Sequence, residues 1–189
     1  MQNLATLLTD FFIKKGIVPD NEREVYEYGF DITIYTIVST VGLLIIGALM
    51  HRFWYAVVII SIFSIFQTTG GGYHANTHLK YFLTMVIILL ASLVLTYIPE
   101  YSYIPEISSI ISVILLLLVP LTLHPNKAYL ASETPRLRRT SRITTLLISA
   151  ISFILVYLVG LPIVPFALAF TMSAISRLYA TWERRKSPA

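Results

Sequence analysis

Cysteine is absent from all 189 residues. That excludes disulfides, thiolate metal sites and a cysteine nucleophile in the chain as it stands. Charge is scarce too: Asp, Glu, Lys and Arg make up 13% of residues, against about 25% in an ordinary soluble domain. Hydrophobic residues fill 56% of the chain, and its mean hydropathy is +0.75. A chain of this size cannot hide that much apolar surface, because small domains bury only about two-thirds of their unfolded surface. A soluble globular enzyme is excluded. No segment alternates charge with aromatics outside the apolar runs, so nucleic acid is not an expected partner. Nor does the N-terminus have the form of a cleavable signal, since Asp10, Lys14 and Lys15 follow its apolar residues instead of preceding them.

What is present is apolar and long. Six runs, near residues 30–50, 53–69, 81–98, 107–123, 143–159 and 162–180, approach the length that crosses a ~30 Å hydrocarbon layer as a helix. Every backbone polar group in such a run must be bonded internally, and the alternation of a membrane barrel is missing. Pro120 marks the exit of the fourth run or a kink within it. Ahead of the runs, Leu4, Leu7, Leu8, Phe11 and Phe12 recur at helical spacing over residues 2–15. This segment is too short to span. It reads as an amphipathic helix in the membrane interface, or as one packed on the protein itself. Gly16 and Pro19 end it, and Asp20 or Asn21 is placed to cap the next helix. The expected fold class is an all-α integral membrane protein. It has about six transmembrane helices, an N-terminal interfacial helix and a single domain over residues 1–189.

Orientation follows lysine and arginine. With both termini cytoplasmic, all but Arg52 of the 14 basic residues fall on the inner side. The densest group is a loop at 124–142 holding Lys127, Arg136, Arg138, Arg139 and Arg142, and Arg177 and the tail residues Arg184, Arg185 and Lys186 join it on that side. The first two runs are joined by only His51 and Arg52, so that hairpin either spans or is re-entrant.

Chemistry concentrates between the second and third runs, in Gly70-Gly71-Gly72-Tyr73-His74-Ala75-Asn76-Thr77-His78. Three consecutive glycines permit backbone conformations and close approaches closed to other residues; a plain turn explains them as well as a site does. His74 and His78 would share a face on a continuous helix. No carboxylate or third histidine lies nearby in sequence, so no metal is expected.

The string Gly70 to Thr77 resembles the active-site motif of the accessory gene regulator B family, integral membrane cysteine endopeptidases of Gram-positive quorum sensing. The stretch His124-Pro125-Asn126-Lys127, Glu133 and Arg136 to Arg142 is similar to that family's basic loop. The resemblance implies a cell-membrane peptidase without a cofactor, a homodimer in contact with membrane lipid. Its substrate would be a small precursor with an amphipathic N-terminal part and an acidic C-terminal tail, which is removed as a thiolactone autoinducer forms. It implies His74 as general base and, seven residues on, a nucleophilic cysteine; position 81 is Tyr81. On one helix that spacing is nearly two turns, roughly 10 Å, and a break near Thr77 would shorten it. It implies substrate contacts from Gly70, Gly71, Gly72 and Asn76, and from Lys127, Arg136, Arg138, Arg139 and Arg142, although anchoring to anionic lipid accounts for those basic residues equally well. Asn76 and Gln67 are candidates for an orienting group. A phenol, with pKa about 10, is mostly protonated and is not a usual acyl carrier. The chain is therefore expected to bind a precursor without cleaving it by the family's mechanism. The alternative is a non-catalytic membrane peptide-binding or peptide-export protein. A small-molecule carrier is weaker, because the later runs hold no ionisable residue deep inside them.

Overall fold

Among the residues described by the computed structural model, 2–72, 77–97, 103–119 and 133–186, there are seven α-helices and no strand. They are α1 (Gln2–Lys14), α2 (Arg23–Leu49), α3 (Phe53–Gly70), α4 (His78–Leu95), α5 (Ile104–Leu118), α6 (Glu133–Tyr157) and α7 (Val164–Lys186), with a 3-10 turn at Asp20–Glu22 before α2. Each of the six expected runs has its helix. Three segments, Asp20–Leu49, Phe53–Gly70 and Glu133–Tyr157, are long and apolar enough to cross a membrane. Leu79–Leu95 and Ile104–Leu118 are apolar but shorter. α7, of 23 residues, is more mixed and ends in Trp-Glu-Arg-Arg-Lys.

The largest departure from the sequence reading is in α6. It starts at Glu133 instead of near 143, so Arg136, Arg138, Arg139 and Arg142 belong to its first turns and not to a loop. Pro135 sits in the first turn, where its missing N–H forfeits no helical bond, and Glu133 complements the positive end of the helix dipole. Lys127 and Pro120 lie outside the described residues. α5 stops at Leu118, and Val119 is extended (ψ 132°), the conformation favoured before a proline.

Residues Met1–Ile45 and Ile46–Ala189 form two compact units. In the first, α1 lies against the opening turns of α2. The Thr6 hydroxyl donates to Glu27, Asp10 pairs with Arg23, and Phe12 stacks on Phe30 with centroids 5.4 Å apart. Gly16, at φ +68°, ends α1. Asp20 and Asn21 fall in the 3-10 turn, where Asp20 approaches Arg23 at 3.8 Å. The apolar stripe of α1 is thus divided: Phe12 packs on its own chain while Leu4, Leu7 and Phe11 stay exposed.

In the second unit α7 packs on α3 and α5, α6 packs on the same pair, and α4 lies on α3. Small and hydroxylated residues line these seams. Ser141, Thr145 and Ser152 of α6 and Ala167, Ala169, Ser173 and Ala174 of α7 are all buried. Thr145 donates to the Ser141 carbonyl (2.9 Å) and Ser173 to that of Ala169 (2.7 Å), so these two hydroxyls are satisfied within their own helices where the helices approach closely. Between α5 and α7, Ser112 donates to Thr171 at 3.2 Å. The turn before α3 is only Met50, His51 and Arg52, with His51 at φ 54°. There the Arg52 guanidinium lies over the rings of Tyr55 (4.9 Å) and Tyr97 (4.5 Å), and the Tyr97 hydroxyl donates to the Met50 carbonyl.

Candidate functional site

Each glycine of the triplet has its own reason. Gly70, the last residue of α3, is buried against Arg177; a Cβ there would fall on the guanidinium and lie 3.0 Å from Ser141 Oγ. Gly71 has φ 67° and ψ 175°, a combination essentially reserved for glycine. Gly72 sits against the Gln67 side chain, and a Cβ would collide with its amide. The triplet is both a turn and a close-packed junction within the chain.

Thr77 then restarts the chain. It is extended (φ −140°, ψ 148°), and its hydroxyl accepts from the Lys80 backbone N–H at 3.3 Å, capping α4. Because Thr77 is not helical, no continuous helix joins positions 74 and 78. His74 and Asn76 lie outside the described residues. Tyr81 stands in the first turn of α4, its backbone N–H donating to the Thr77 carbonyl at 3.0 Å.

Tyr81 and Gln67 line one cavity of about 310 Å³ between α3, α4 and α7. Its walls are largely apolar, from Phe63, Met85, Ile88, Met172 and Ile175. Gln67 Nε2 donates to Ser176 Oγ at 2.7 Å, while its buried Oε1 has no partner. Thr84 also lines the cavity, but its hydroxyl donates to the Lys80 carbonyl (2.8 Å), and the Thr77 hydroxyl serves as the cap. The geometry is that of a hydrophobic slot with a few placed polar groups, the usual form of a small binding site. Sequence reasoning named Gln67 and Tyr81 but missed the α7 wall, which no local motif marks.

The basic residues do not share this cavity. Arg138 and Arg142 line a separate one of about 130 Å³ with Ser141, Leu116 and Arg177. Arg138, Arg139 and Arg142 also rim a groove of about 700 Å³ that continues to Ile143 and Leu146. Arg136 is exposed on α6 and lines none of the three.

Arg177 corrects the sequence reading most sharply. Grouped there with the basic tail, it is enclosed, with 2% of its surface exposed. Its Nη1 donates to the Leu116 carbonyl (2.6 Å) and Nη2 to Ser141 Oγ (3.3 Å). The sequence reading placed Arg177 just inside the end of the last run but did not foresee that it is buried between helices. The signal was the phase of α7: Phe166, Phe170, Ser173, Arg177 and Ala180 follow one another at helical spacing and all are buried. Among the described residues no group of three or more His, Cys, Asp or Glu is placed to hold a metal.

Helices of this length and polarity, with a largely apolar cavity between α3, α4 and α7, define an all-helical membrane protein. The chain matches accessory gene regulator B over residues 5–181 and belongs to that family. It is a membrane protein of accessory gene regulator quorum-sensing peptide processing. No curated protein and no solved structure matches it.

Proposed function

We propose that this chain is an endopeptidase scaffold that binds a small amphipathic quorum-sensing precursor and holds its scissile bond beside position 81. The observation that supports this most is the placement of Tyr81 with Gln67 in one apolar cavity, directly after the glycine junction. With a cysteine at 81, the thiolate would attack the peptide carbonyl and form a thioester with the N-terminal part of the precursor. The acidic tail would leave as a new amine, taking the proton that His74 had accepted from the thiol. A precursor thiol would then displace the enzyme thiol and close a thiolactone. Tyr81 does not support this sequence, because a neutral phenol is a poor nucleophile and not a usual acyl carrier. The chain then acts as a binder whose catalytic step is silent.

Tyr81→Cys tests the reading. Supplied with a cysteine-containing, acidic-tailed precursor, the variant is expected to release the tail and accumulate a hydroxylamine-sensitive thioester. In that background His74→Ala should lower cleavage by about 10²–10⁴-fold, with His78→Ala milder. Precursor binding by Tyr81→Cys without any cleavage would favour the second reading, a peptide-binding or export protein, which Tyr81 itself recommends.

A further inference from the structure

Arg177 is buried, and its Nε makes no hydrogen bond. Arg138 and Arg142, one helical turn apart on α6, line the same small cavity. None of the three pairs with a carboxylate among the described residues. Three arginines around one concavity make a field that draws an oxyanion, and arginine takes phosphate in two-point geometry. The cavity, at about 130 Å³, suits a single such group and not a folded peptide. Next to it, the groove rimmed by Arg138 and Arg142 runs on to Ile143 and Leu146, 45% and 56% exposed. A cationic pocket opening onto an exposed apolar track has the two-part shape of a phospholipid.

We propose that Arg138, Arg142 and Arg177 bind one anionic phospholipid, its phosphate among the guanidinium groups and an acyl chain along Ile143 and Leu146. Basic pockets between membrane helices hold anionic head groups in this way. The site is separate from the cavity at Tyr81, and its test does not depend on peptide processing.

Native mass spectrometry of the intact protein in detergent decides it, with phosphatidylglycerol and phosphatidylcholine of matched chains as probes. One phosphatidylglycerol should be retained at concentrations where phosphatidylcholine is lost, and it should raise the thermal midpoint. Replacing the exposed pair, Arg138→Gln with Arg142→Gln, should weaken retention by about tenfold or more and abolish the thermal shift, whereas Arg136→Gln should retain the lipid like the wild type. Equal retention of both lipids, or equal weakening by Arg136→Gln, overturns the assignment. Displacement by inorganic phosphate as readily as by short-chain phosphatidylglycerol would make this a free-anion site. Displacement by a glutamate-rich peptide but not by that lipid would make it a peptide site. Either result also overturns the proposal.

Discussion

A single methyl group distinguishes the three glycines. At Gly70 it would strike the Arg177 guanidinium and at Gly72 the Gln67 amide, while at Gly71 it would meet a backbone conformation that side chains avoid. Gly70→Ala should destabilise the fold by about 1–3 kcal/mol, the range for overpacking a close contact. Gly71→Ala should cost about as much through strain. Gly29, inside α2 with nothing within 4 Å of its Cβ position, is the control; Gly29→Ala should be neutral or stabilise by about 0.5–1 kcal/mol. Thermal unfolding in detergent checks the order. If all three variants melt alike, the triplet is not the junction described above.

At the scale of the helix, α6 presents its arginines in different directions. Arg138 and Arg142 line the small cavity with Arg177, while Arg136 does not. If the precursor's acidic tail is held by the remaining basic surface, Arg136→Glu with Arg139→Glu should weaken binding of an acidic-tailed peptide far more than binding of a tail-neutralised one. That difference should shrink with added salt, since exposed charges are screened over about 8–10 Å. Equal binding of the two peptides by the variant would place tail recognition elsewhere. The helices themselves were legible because an apolar run announces itself. The start of α6 was not, because Arg136 to Arg142 read as loop by polarity while Glu133 and Pro135 are compatible with a helical first turn. Gln67 and Tyr81 were legible from the motif, but their common wall with Met172 and Ser176 depends on packing α7 against α3 and α4, which no local spacing encodes. Arg177 was misjudged by charge alone, although the phase of its buried neighbours pointed inward.

For the molecule as a whole, orientation is the open physical quantity, and the absence of cysteine makes it measurable. Single cysteines at exposed Tyr103, Thr140 and Lys186 would each be the sole thiol in the chain. With both termini cytoplasmic, an impermeant maleimide applied to intact cells should label Tyr103→Cys, and it should reach Thr140→Cys and Lys186→Cys only after the membrane is opened. External labelling at Thr140→Cys would reverse the orientation drawn from the basic residues.

The contact between Gly70 and Arg177 also has a historical consequence. The two positions are 107 residues apart in the chain, yet a change at one alters the cost of a change at the other. A larger residue at 70 is tolerated only after the side chain at 177 has shortened. A shorter residue at 177 in turn abandons the Leu116 carbonyl and Ser141 that the guanidinium joins. Mutational paths through this pair therefore have a required order: descendants of the chain that carry a larger residue at 70 should also have lost the arginine at 177.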